Sequence, residues 1–279
     1  MTPALPPLYI SHGSPMTALE PREAGAFMQR LGLGIGATSG TPRAILAVSA
    51  HSLAREPVLL AARQHAAVYD FGGFDPRLHT LRYDAPGAPE LAMRVEALLR
   101  ACSMPVHRTD EGGLDHGIWT PLRYMYPQAD VPVLPLAWPA GWSPARLLEM
   151  GAALAPLADE GVLVMGSGSI THNLRRVFAG GLHPPVDQPA TPESSAFRDW
   201  WAARAAASDW EALFDYRAQA PFAALMHPTD EHLLPWFVAA GAAGPGARGL
   251  RIHESLTYGD LGMDAYAFFA GPGAGAFAA

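Results

Sequence analysis

Four short apolar runs mark the chain, and each closes on small or polar residues. Residues 7–10 lead into Ser11-His12-Gly13-Ser14, and residues 44–48 into Ser49-Ala50-His51-Ser52. Residues 131–136 lead into Ala137-Trp138, and residues 162–165 into Gly166-Ser167-Gly168-Ser169. None of the four alternates apolar with polar, so both faces are expected to be buried, as in central strands of a sheet covered on both sides. Prolines at 132 and 135 make the third run the least regular. Helical spacing fills the gaps. Residues 90–102 put Leu91, Val95, Leu98 and Leu99 on one face. Ser143-Pro144 opens a second helix with Leu147, Leu148, Met150 and Leu154 inward. Thr191 caps a third, over 191–207, and a shorter one is expected over 231–240 behind Pro228. The stretch 65–86 reads as an irregular excursion. Strands alternating with helices predict an α/β fold: one layered domain over 1–279, with a central mixed, largely parallel sheet flanked by helices.

Composition narrows the class. Of 279 residues, 49% are hydrophobic and only 16% charged, against about 25% in ordinary domains, which favours a compact enzyme over a disordered chain. The net charge of −7 carries no basic stretch, so nucleic acid is not an expected partner. The single cysteine, Cys102, excludes an internal disulfide and a multi-cysteine metal site. Its neighbours Leu98, Leu99, Ala101 and Met104 make it read as a buried core thiol. No signal-peptide pattern and no apolar run of about 18 residues is found, so the expected location is the cytoplasm, away from membranes. The ends, 1–6 and 271–279, read as frayed.

The chemistry points to histidine. Ligands in open α/β sheets bind at the carboxyl ends of strands. His12, His51 and His172 each come within a few residues of the end of a predicted strand. Gly13 lets the backbone come close to a ligand. Histidine is the commonest metal ligand, although two such residues do not choose the metal. A further candidate, His227, precedes Pro228 in Met226-His227-Pro228-Thr229-Asp230-Glu231-His232. The spacing His227-x-x-x-Glu231-His232 differs by one residue from that of inverted zinc proteases, and their H-E-x-x-H counterpart is absent. The glycines at 32, 34 and 36 come after a helix-like stretch and lack a dinucleotide fingerprint. Gly166-Ser167-Gly168-Ser169-Ile170 puts glycine where a nucleophile elbow needs serine.

Five segments in order resemble the DOPA 4,5-dioxygenase branch of the class III extradiol dioxygenases. They are Ser11-His12-Gly13-Ser14-Pro15-Met16, Ser49-Ala50-His51, Gly113 to Leu122 with Asp115-His116-Gly117 at its centre, Gly166 to Leu174 with Thr171-His172-Asn173, and His227 to Pro235. The resemblance implies a metal held by His12, His51 and His227. It implies His172 beside the metal, as catalytic acid/base or an extra ligand, and His116 as a second catalytic residue binding substrate or supporting a ligand. His227 would stand where protocatechuate-cleaving relatives use a carboxylate. Fe(II) is implied for catalysis, with Zn(II) in the isolated protein. The implied partners are a small-molecule catechol and O2, and the implied assembly is a monomer or homodimer. Asp115 is a candidate to orient a site imidazole. Trp119, Tyr124, Phe71 and Phe74 are candidates to hold the ring. Two rival readings use the same histidines: a zinc hydrolase and a non-catalytic metal-binding protein.

Overall fold

The computed structural model describes residues 4–179, 181 and 184–270, so most of the expected frayed ends lie outside the described residues. All four apolar runs are strands: β1 (Leu8–Ser11), β2 (Ala44–Ser49), β5 (Val133–Ala137) and β6 (Val162–Gly168). Four more complete an eight-stranded sheet: β3 (Val58–Leu60), β4 (His107–Thr109), β7 (Arg248–His253) and β8 (Ala265–Phe269). Their order across the sheet is β4-β3-β5-β2-β6-β1-β8-β7. The centre, β5-β2-β6-β1, is parallel, while on one side β8 runs antiparallel to β1 and β7 antiparallel to β8. On the other side β3 runs antiparallel to β5 and parallel to β4.

Strand period decides the two cores. Tyr9, Leu46, Val48, Val162 and Val164 point to one face, and their chain neighbours Leu8, Ile10, Ile45, Ala47, Leu163 and Met165 to the other. The first face is covered by α2 (Pro89–Ala101), α4 (Pro144–Leu154), α5 (Pro192–Ala207) and α6 (Pro235–Ala242). The second is covered by α1 (Arg22–Ser39) and α3 (His116–Met125). Because both faces are dry, β1, β2, β5 and β6 are buried at every position. Proline is accommodated in β5 because the pairing changes hands there. β2 pairs with Val133, Leu134 and Pro135, and β3 with Leu136 and Ala137.

The Ser143 and Thr191 caps form as expected, accepting from the backbone N–H of Arg146 and Ser194. Two expectations are corrected. The helix expected over 231–240 begins only at Pro235, and residues 228–234 form turns. Pro235, not Pro228, occupies the first turn, which frees the segment before it to carry side chains into the site. Cys102 is exposed, because it lies past the last turn of α2, beyond Leu99, the last buried residue of that helix. No helix among the described residues is long and apolar enough to cross a membrane.

Candidate active site

The carboxyl ends of β1, β2 and β6 share one sheet edge, and the histidines beyond them meet there. Gly13, with φ +72°, turns the chain sharply away behind His12. His12 and His51 face each other, with their Nε2 atoms 3.1 Å apart. His116 opens α3 beside them, with ring centroids 4.0 Å from His51 and 5.3 Å from His12. One nitrogen from each of these three lies within 4.8 Å of the others. His232 completes the cluster, with centroids 4.9 Å from His51 and 5.4 Å from His12. His172 stacks on His232, centroids 3.5 Å apart and planes 9° from parallel.

Hydrogen-bond partners assign the tautomers. Ser167 Oγ donates to the Gly117 carbonyl, so it must accept from Nδ1–H of His12 at 2.9 Å. His116 Nδ1 donates to Asp70 Oδ1 at 3.0 Å, and His232 Nδ1 to Glu231 Oε1 at 3.1 Å. His51 Nδ1 faces Asp70 Oδ2 at 3.6 Å. His12, His116 and His232 therefore keep Nε2 as a lone pair when neutral. Burial holds His12, His51 and His232 neutral. It pushes His12 and His232 well below the usual histidine range, with neighbouring imidazoles adding to the effect. Burial and His116 lower His51 to about 4, against the pull of Asp70. Burial and then His232 lower His172 to about 2. Burial raises the Asp70 carboxyl, but the bonds and charge of His116 outweigh it and hold Asp70 below the ordinary carboxylate range.

Two expected roles fall elsewhere. His227 does not join His12 and His51. Its Nε2 donates to the Ile170 carbonyl at 2.9 Å, and its ring packs on Phe197. The ring that lies beside His12 and His51 is that of His232, five residues on. The His232 carbonyl is fixed at the end of β6 by Tyr9 Oη (2.6 Å) and the Ser169 N–H (3.0 Å). Asp115 orients no imidazole, nor does it cap its own helix. Its oxygens accept from Ser49 Oγ at 2.7 Å and Ser52 Oγ at 2.6 Å, bracing the chain on both sides of His51. The orienting carboxylate is Asp70, from the irregular stretch, which also accepts the His116 backbone N–H at 3.0 Å. Its only sequence signal was an acid set between Tyr69 and Phe71. A cavity of about 200 Å³ opens over His51, His116, His172 and His232. Phe71 and Phe74 line it, whereas Trp119 Nε1 bonds the Val68 carbonyl and Tyr124 Oη the Thr17 carbonyl, as core groups.

Comparison with known proteins identifies the family. Residues 6–269 match the family described as the catalytic LigB subunit of aromatic ring-opening dioxygenase. A 4,5-DOPA dioxygenase extradiol of Beta vulgaris is 38% identical over 93% of this chain and 95% of its own. One of Escherichia coli (strain K12) is 35% identical over 85% of each. The crystal structure of an uncharacterized Escherichia coli K12 protein superposes with a TM-score of 0.76 at 31% identity, covering 96% of this chain and all of that one. Matched over nearly its whole length, the chain belongs to the LigB family of ring-opening dioxygenases and is a metal-dependent extradiol dioxygenase acting on a small aromatic molecule and O2.

Proposed function

We propose that the metal is iron(II), that His12, His51 and His232 hold it, and that the substrate is a catechol. The observation carrying this is the convergence of the His12 and His51 Nε2 atoms, 3.1 Å apart, with the His232 ring beside both. Two nitrogens each about 2.0–2.1 Å from one metal would be about 2.9–3.4 Å apart, so the spacing fits. All the donors are neutral nitrogen, which suits iron and zinc alike. Ser167 and Glu231 fix the second nitrogen of His12 and His232, the usual support for a metal-binding imidazole, and Asp70 lies 3.6 Å from that of His51.

When bound, ferrous iron supplies open positions for both catechol oxygens and for O2, and a path for electrons between them. The protein's own groups move the protons. His172 lines the cavity and is neutral at pH 7, so it can accept the second catechol proton. The negative charge that develops on the diol beside it strengthens it as a base. The same nitrogen then returns the proton as the ring opens next to the diol. His116, held by Asp70 through both its backbone N–H and Nδ1, presents a fixed Nε2 to the substrate. Phe71, edge-on to His116 with centroids 5.5 Å apart, limits where the aromatic ring can lie.

Several relatives are named for DOPA, a catechol, which supports that class. The zinc hydrolase and the binding protein are not favoured by the family match. An exposed, unpaired cysteine suits a reducing cytoplasm. Size-exclusion chromatography decides between monomer and homodimer. The deciding experiment loads the protein anaerobically with ferrous iron or with zinc and adds catechols in air-saturated buffer. Oxygen uptake with a new semialdehyde chromophore in the iron form alone is expected. Uptake in neither form would remove the catechol reading.

A further inference from the structure

The cavity over the histidines is lined mostly by carbon, and the inference drawn from it rests on the catechol reading above. Phe71 and Phe74 come from the irregular stretch 65–86. Leu174, Val177 and Phe178 come from the short helix Leu174–Val177 and its cap, and Leu261 from the hairpin strand Leu261–Gly262. Leu174 lines the cavity yet is 43% exposed, so it stands where the cavity meets solvent. Among the described residues, the charged side chain lining this space besides the imidazoles is Asp70, an acid.

Two cations, Arg175 and Arg176, come close in the chain but do not line the cavity. Arg176 is held by Asp260 at 2.8 Å and by Glu193 at 3.6 Å. Arg175 is exposed beside Leu174 and is not among the residues lining the cavity. If the diol oxygens sit at the histidines, a substituent across the ring points away from them, toward this apolar wall.

We propose that this site selects catechols whose ring substituent is uncharged and apolar, such as a short alkyl chain, over those bearing a carboxylate. An alkyl group gains from leaving water against Phe74, Leu174, Val177 and Phe178. A carboxylate at that wall would lose its water with no cationic side chain lining the cavity to replace it. Leu174 is the residue through which this preference can be changed, since a longer side chain there reaches solvent without displacing the core.

The test compares 4-ethylcatechol with 3,4-dihydroxyphenylacetate as substrates of the iron-loaded protein, by kcat/KM from oxygen uptake. In parallel, calorimetry measures binding of the uncleavable 4-ethylphenol and 4-hydroxyphenylacetate to the zinc-loaded protein. The alkyl compound is expected to lead by about tenfold or more in both assays. Leu174→Arg should move both ratios toward the carboxylate by about tenfold, while Leu174→Ala should weaken the alkyl compound alone. Equal or better binding of the carboxylate by the unmodified protein overturns the proposal, as does a Leu174→Arg protein with unchanged ratios. If no catechol is opened but 4-ethylphenol still binds ahead, the catechol reading fails and the cavity's preference survives. If carboxylated catechols are opened faster, the preference fails and the catechol reading survives.

Discussion

Replacing Gly168 with alanine tests how the site is assembled. A Cβ at position 168 would lie 1.8 Å from the His232 carbonyl oxygen and 2.8 Å from Tyr9 Oη. A carbon–oxygen contact relaxes at about 3.2 Å, so the carbonyl must retreat by about 1.4 Å in a close-packed interior. That motion breaks the bonds from Tyr9 Oη and the Ser169 N–H, each worth about 1 kcal/mol. Overpacking adds about 1–3 kcal/mol. The sum is about 3–5 kcal/mol, or a fall in Tm of about 10 °C for a chain of this size. The same retreat carries the His232 ring away from His12 and His51, well beyond the roughly 0.5 Å that a preorganised site tolerates. Metal affinity should fall at least about 10–100-fold, as when a supporting contact is lost. Gly36→Ala is the control. It sits in α1 with nothing within 4 Å of the added carbon, and should be neutral or gain up to about 1 kcal/mol. Differential scanning calorimetry and metal analysis after dialysis read both effects. A Gly168→Ala protein with unchanged Tm and metal content would refute the idea that this contact sets His232.

The same geometry predicts three further outcomes. His232→Gln should dialyse free of metal, whereas His227→Gln should keep it and lose only about 1–3 kcal/mol of stability from the unpaired Ile170 carbonyl; metal loss confined to the His227 variant would restore the other assignment. His172→Gln should keep its metal and lose ring-opening rate by about 10²–10⁴-fold, and a full rate with full metal would remove its proton-transfer role. In metal-free protein, burial holds His51 and His227 near 4 when folded, below the roughly 6.5 of an unfolded histidine. Stability is then complete above about pH 6.5 and is lost as pH falls toward 4, because the unfolded chain takes up protons that the folded chain refuses. Urea titrations at pH 7.5 and 5 should differ by about 2 kcal/mol for each such histidine, and equal midpoints would contradict the burial argument.

The sheet centre and half of the metal site were legible in the amino-acid order. A strand buried on both faces is a short continuous apolar run, and the residues just past its end must stand at the sheet edge. That local rule located β1, β2 and β6 and the imidazoles of His12, His51 and His172. Local cap chemistry placed Thr191 and Ser143. The short outer strands β3 and β4 have too few residues to show a period, and β8 returns antiparallel from the far end of the chain.

His232 and Asp70 were decided by tertiary structure. His227 and His232 share one seven-residue segment, and Pro228 made the first look like a helix start. Which imidazole turns inward depends on the His232 carbonyl resting against Gly168, 64 positions earlier, under the Tyr9 hydroxyl. Asp70 lies in a stretch with no period at all, and only the folding of that stretch over α3 brings its carboxylate to His116 and His51. Hydrophobic periodicity reports which faces are dry. It does not carry the distances between loops, which arise only when the two cores have packed.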